Sequence, residues 1–123
     1  MTRTVLFVCP HGAGRSRMAA AFFNNAVSPE SGWRATSAGL DPDEVVGQTT
    51  VGLVQVTDAA AHMDMEPPRP IAAVPAPDRI VSIDCDVPGG ERWDLANEEF
   101  AVPMRDEIRA RAESLAHELA ARG

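Results

Sequence analysis

The run Thr4-Val-Leu-Phe-Val8 is apolar without alternation, the pattern of a strand covered on both faces. It stops at Cys9-Pro10, and Gly12 and Gly14 then punctuate a short loop. From Arg15 to Asn25 the chain is rich in alanine, with Met18, Phe22 and Phe23 placed to pack on a sheet, so a helix is expected there. Ser28 to Gly32 reads as a turn, and Trp33 to Ala38 as a second short strand ended by Gly39. Gln48 to His62 is a helix candidate despite Gly52. Prolines 67, 68, 70, 75 and 77 exclude regular structure between Glu66 and Pro77. That stretch reads as a proline-stiffened surface connection, because neither side of it is long enough to fold alone. Asp78 to Ile83 is a third strand followed by Cys85, Gly89-Gly90 a turn, and Arg92 to Leu95 a fourth strand. Over Val102 to Arg122 the apolar positions Ile108, Ala112, Leu115 and Leu119 fall on one helical face.

Strand and helix alternate along the chain. That order predicts an α/β domain spanning 1–123, a four-stranded parallel sheet with helices on both faces. In such a sheet the ligand site lies beyond the carboxyl ends of the strands. Cys9 follows the first strand and Cys85 the third, so topology alone brings both thiols to that edge.

Composition narrows the chemistry. Apolar residues make up 45% and charged residues 24% of the 123, which suits a packed domain and not a disordered one. A net charge of -7 argues against a nucleic-acid or membrane-surface partner. All eleven bases are arginine, which removes a Walker-type phosphate lysine and every Schiff-base mechanism. Two cysteines are too few for a disulfide scaffold or a zinc site of three or four thiolates, and no metal is expected. The first apolar stretch is too short for a signal-peptide core or a membrane span. A cytoplasmic protein with reduced thiols is the expectation.

The loop Cys9-Pro-His-Gly-Ala-Gly-Arg15-Ser16 joins the first strand to the first helix. Its inward backbone N–H groups (His11 to Arg15) and the helix N-terminus suit an anion cradle. A cysteine at its start would be stabilised as thiolate by those dipoles and by Arg15. Arg15 offers two parallel hydrogen bonds to a tetrahedral oxyanion, and Ser16 can donate to the Cys9 sulfur. Competing glycine motifs fail: Arg17 stands where a dinucleotide fingerprint needs glycine, and a Walker loop needs lysine.

With Cys-x5-Arg-Ser in the first strand–loop–helix, the sequence resembles the low-molecular-weight protein tyrosine phosphatases and the related thiol-dependent arsenate reductases, and the reductases more closely. Val5-Leu-Phe-Val-Cys-Pro-His-Gly-Ala-Gly-Arg-Ser-Arg-Met-Ala is similar to their opening. Trp33 to Gly39 is similar to their second strand, and Asp78 to Cys85 to their third. The resemblance implies a flavodoxin-like fold without metal or organic cofactor. Three positions depart from the pattern. The family's loop asparagine is Gly12, which takes a positive φ as easily but loses a side-chain brace. The late Asp-Pro that supplies a general acid is Asn97-Glu98, leaving Glu98 or Asp94 as substitutes. The outer cysteine of the thioredoxin-coupled reductases has no counterpart in positions 86–92.

The expected activity is therefore arsenate reduction. Cys9 attacks the oxyanion, and the adduct is resolved by Cys85 or by an external thiol: mycothiol, glutathione, glutaredoxin or thioredoxin. The alternative is a phosphatase acting through a phosphocysteine. A third reading is an oxyanion-binding or redox-sensing module without turnover. Among the remaining residues, His11 reads as a loop histidine able to tune Cys9, and His62 and His117 as surface or packing residues. Arg17 reads as a charge near the loop entrance or on the helix surface. Trp93 and Phe100 read as core, and Arg105, Arg109 and Arg111 as a solvated helix face.

Overall fold

The structure, a computed structural model, describes residues 2–121. Among them the strands β1 (Arg3–Cys9), β2 (Trp33–Gly39), β3 (Arg79–Ile83) and β4 (Glu91–Trp93) form one parallel sheet in the order β2-β1-β3-β4. The helices are α1 (Arg15–Ala26), α2 (Gln48–Gln55) and α3 (Val102–Ala121). The α/β class and the four-stranded parallel sheet are those expected. Arg122, the anticipated end of the last helix, lies outside the described residues.

Alternate residues of β1 serve opposite faces of the sheet. Val5 and Phe7 join Val81, Ile83 and Trp93 in a core closed by Met18 and Phe22 of α1 and Met104, Ile108 and Leu115 of α3. Phe7 packs edge-on to Phe23 at 6.0 Å and against Trp93 at 5.5 Å between ring centroids. Leu6 and Val8 face the other way, with Ala38, Cys85 and the partly buried Ile71 and Val74.

The second face is covered differently from the first. Right-handed crossovers require the β1-to-β2 and β2-to-β3 connections, which step in opposite directions, to pass on opposite faces. The second passes through the proline-rich segment, which cannot supply helical N–H donors. Its helical content there is a single 3-10 turn, Ile71–Ala73, and its apolar side chains do the covering.

The second helix is shorter than its periodicity suggests. α2 stops at Gln55 because the Thr57 hydroxyl donates to the Val54 carbonyl at 2.7 Å and accepts from the Ala59 N–H at 3.2 Å. Those side-chain bonds compete with helix continuation, and only a 3-10 turn, Ala60–His62, follows. β4 begins at Glu91, one residue earlier than expected, and ends at Trp93, two residues earlier.

The charged face of α3 is not merely solvated, which corrects the sequence expectation. The Glu107 carboxylate accepts the Ala96 and Asn97 N–H groups at 3.0 Å and the Asn97 side-chain amide at 2.9 Å. Arg105 donates to the Leu53 carbonyl, Arg109 pairs with Asp58 and covers the Phe22 ring, and Arg111 donates to the Asp94 carbonyl. This face ties α2, the turn at Asp58 and residues 94–97 to α3. No helix of the described residues is long and apolar enough to cross a membrane.

Candidate functional site

The register of β1 on β2 sets Cys9 opposite Gly39 at the carboxyl edge of the sheet. The chain then turns back through residues 10–14 into α1. Gly12 makes that turn at φ +68, a left-handed conformation that suits glycine. Gly12 and Gly39 also allow the loop to lie against the end of β2. A Cβ on Gly12 would stand 2.8 Å from the Gly39 nitrogen, and one on Gly39 would stand 2.5 Å from the His11 carbonyl carbon.

The result is a buried thiol between a backbone N–H and a hydroxyl. The Gly12 N–H donates to the Cys9 sulfur at 3.2 Å, and the Ser16 hydroxyl lies 3.0 Å from it. No side chain caps the N-terminus of α1, and its first turn holds no acid. The orphan N–H groups and the helix dipole therefore remain available to an anion. Gly47, ahead of α2, is likewise without a side-chain cap. Both helix N-termini open onto one pocket.

That pocket has a volume of about 350 Å³. Cys9, Pro10, His11, Ala13, Gly14 and Arg15 form one side, and Asp43, Gly47–Thr50 and Phe100 the other. Six of the residues singled out in the sequence thus gather at one cavity. The Arg15 guanidinium lies under the Phe100 ring at 4.8 Å, pairs with Asp84 at 3.4 Å through Nε, and reaches the Glu98 carbonyl at 3.4 Å. That Nε is buried and makes no hydrogen bond, so Asp84 holds it by charge alone. His11 is exposed, with Nδ1 3.1 Å from the Asp41 carbonyl and 3.7 Å from the Asp43 carboxylate. A carbonyl only accepts, so this bond puts the proton on Nδ1.

Other candidates lie elsewhere. Cys85 does not line the pocket: its thiol donates to the Val8 carbonyl at 3.6 Å within the apolar cluster on the opposite sheet face. Burial pushes the Cys85 thiol above its ordinary range, and the charge of Cys9 adds to the effect. Asp94 is turned to Arg92 at 2.6 Å. Glu98 offers its backbone carbonyl to Arg15, and neither acid lines the pocket. Trp93 is core, as expected, but Phe100 is 42% exposed and forms a pocket wall.

Three participants escaped the sequence reading. Asp43 brings a carboxylate to the pocket, but nothing in its local pattern marks it. Asp84 adopts φ +55 at the end of β3, held by its N–H on the Trp93 carbonyl and by its carboxylate accepting the Leu95 N–H. Its place beyond a strand's carboxyl end was a usable signal. Arg17, read as a charge at the entrance or on the helix surface, is instead fully buried behind the loop.

No family model matches this sequence, and no curated protein does. Solved structures do. An arsenate reductase from Archaeoglobus fulgidus is 29% identical over 92% of this chain and 98% of its own, with a TM-score of 0.71. An arsenate reductase in a phosphate-binding state is 22% identical, covers 96% and 99%, and superposes at 0.74. A low-molecular-weight protein tyrosine phosphatase from T. tengcongensis is 16% identical, covers 99% and 100%, and superposes at 0.66. The structural neighbours of this chain are thus enzymes of two activities sharing one fold.

Proposed function

We propose, from this place among arsenate reductases and low-molecular-weight tyrosine phosphatases, that the chain is a single-domain, thiol-dependent arsenate reductase with Cys9 as nucleophile. The observation that carries the reading is the Cys9 sulfur held between the Gly12 N–H and the Ser16 hydroxyl, at the open N-terminus of α1. Both groups lie within hydrogen-bond reach of the sulfur that would attack the oxyanion. Arg15 and the loop amides would neutralise the oxyanion.

In the first step the Cys9 sulfur forms a bond to arsenic and a hydroxyl leaves as water after proton transfer. A second thiol then attacks the Cys9 sulfur. The sulfur–arsenic electron pair passes to arsenic, which falls from the pentavalent to the trivalent state and leaves as arsenite. A disulfide remains. The orientation of Cys85 toward Val8, and the burial that keeps it protonated, favour an external thiol as the attacker. A small thiol such as mycothiol or glutathione, or a glutaredoxin or thioredoxin, fits that role. Arsenite needs no alcohol-protonating acid to depart, which suits a pocket that Glu98 and Asp94 do not line. A reducing cytoplasm would keep both thiols free.

One observation favours phosphatase activity as a second reading. The Asp43 carboxylate and the exposed Phe100 ring both border the pocket, where they could protonate and flank an aromatic leaving group.

Intact-mass measurement of the reduced protein with arsenate and a small thiol tests the choice. The expected result is a thiol adduct on Cys9, absent in Cys9→Ser, with arsenite released. A loss of about two hydrogens, abolished in Cys85→Ser, would move the resolving role to Cys85. Ester turnover above the Cys9→Ser background without arsenite would establish the phosphatase. Neither activity would leave an oxyanion-binding module.

A further inference from the structure

Arg17 heads the fully buried side chains of the described residues in size, and its charge is surrounded by protein. Desolvating a guanidinium carries a penalty of several kcal/mol unless its donors are met, so its contacts indicate what its position achieves. Nε donates to the Gly12 carbonyl at 3.2 Å. One terminal nitrogen donates to the carbonyls of Asp64 and of Glu66, the latter at 2.8 Å, and lies 3.6 Å from the Asp64 carboxylate. The other terminal nitrogen is buried without a partner. Asp64 is shared: it pairs with Arg69 at 2.7 Å, and Arg69 also donates to the Ser37 carbonyl at 2.9 Å. Burial works against the Asp64 carboxylate, but Arg69, the Glu66 N–H and Arg17 outweigh it and hold its pKa below the usual range.

The bond to Gly12 has a geometric consequence. A trans peptide is planar, with its C=O and N–H pointing in opposite directions. The peptide joining Gly12 to Ala13 turns its carbonyl toward Arg17, behind the loop. Its N–H, on Ala13, therefore points away from Arg17, and Ala13 lines the pocket. Burial lowers the Arg17 pKa, against the support that its cation takes first from the Asp64 carboxylate and to a smaller degree from the negative charge of Cys9.

We propose that Arg17 is a positioning residue of the oxyanion cradle. From behind the loop it holds the Gly12 carbonyl, aims the Ala13 N–H at the bound anion, and adds a fixed positive charge behind the loop. Arg17 thereby supplies from α1 a brace that the Gly12 side chain cannot. The proposal rests on the reading of residues 9–16 as an oxyanion site, and not on whether arsenate is reduced there.

Two readouts independent of turnover test it: inorganic phosphate binding by calorimetry, and the rate of Cys9 alkylation by iodoacetamide. Arg17→Met removes donor and charge, and Arg17→Lys keeps the charge but loses the fork. Arg69→Met serves as the structural control, since Arg69 shares Asp64 without touching the loop. Phosphate affinity should fall about tenfold or more in Arg17→Met, and Cys9 alkylation should slow. Arg17→Lys should fall by less. Arg69→Met should lose stability while keeping both readouts. Folded Arg17 variants with unchanged affinity and alkylation rate, or equal losses in Arg69→Met, would overturn the proposal.

If neither Arg17 variant folds, the wild-type protein decides. The Arg17 Nε–H resonance should exchange slowly and move on saturation with phosphate, and an unmoved resonance would refute the role. A wild-type protein that binds phosphate but neither reduces arsenate nor hydrolyses esters would sink the proposed activity while leaving this inference intact.

Discussion

Replacing Gly39 with alanine puts a methyl group where the loop passes closest to the sheet. The added carbon would lie 2.5 Å from the His11 carbonyl carbon and 2.6 Å from the Gly12 nitrogen. Both are backbone atoms, so no side chain can swing aside. Carbon atoms rest at about 3.5–4.0 Å, so loop and strand must separate by roughly 1 Å. The β1–β2 ladder, with Cys9 opposite Gly39, resists movement of the strand, and the loop yields. Its retreat draws the Gly12 N–H off the Cys9 sulfur, which it reaches at 3.2 Å. Overpacking costs about 1–3 kcal/mol and a lost hydrogen bond about 1 kcal/mol, for a total of about 2–4 kcal/mol. In urea the midpoint should fall by about 1–2 M with an unchanged slope. Alkylation of Cys9 should slow in the same variant. A midpoint and an alkylation rate both equal to wild type would show that Gly39 and the loop are not in contact, and the account of the cradle would be wrong.

Gly52→Ala should do the reverse, because the added carbon meets nothing within 4 Å in the middle of α2. A gain of about 0.5–1 kcal/mol is expected in the same titration, and a loss would mean that α2 is not helical there. The raised Cys85 thiol contributes stability that is complete below the ordinary thiol value of about 8.5 and lost as pH rises toward its folded value. Cys85→Val should therefore flatten the decline in urea midpoint between neutral and alkaline pH, and parallel declines would refute the assignment. Burial alone would raise the Glu107 carboxyl, but the Ala96 and Asn97 donors outweigh it and its pKa lies below the usual range. Glu107→Gln should thus cost about 1–3 kcal/mol near pH 6. That deficit should shrink as pH falls below about 4.3 and the wild-type carboxylate is protonated. A deficit independent of pH would mean that charge is not what holds residues 96 and 97.

Some of this protein is determined by short stretches of sequence. The β1 run, the alanine-rich α1, the glycine at a left-handed turn and the Cys-x5-Arg-Ser spacing depend on local conformation and periodicity, and the structure places Cys9 and Arg15 in one pocket wall, with Gly12 and Ser16 against the Cys9 sulfur. The alternation of strands and helices likewise implied a parallel sheet before any contact was known. What remained depended on which distant groups meet. Nothing near Arg17 in sequence announces burial, because its acceptors at Asp64 and Glu66 arrive from the far side of β2. Phe100 and Asp43 reach the pocket from two loops whose approach depends on where β2 ends and α3 begins. Cys85 shares the sheet edge with Cys9, as topology requires, yet its thiol turns to the opposite face, because side-chain direction depends on packing around Val8 and Ala38 and not on position along the strand. Local pattern determines which elements form and where the loop turns. Long-range packing decides which side chains that loop can use, since each such contact joins segments too far apart in sequence for periodicity to relate them.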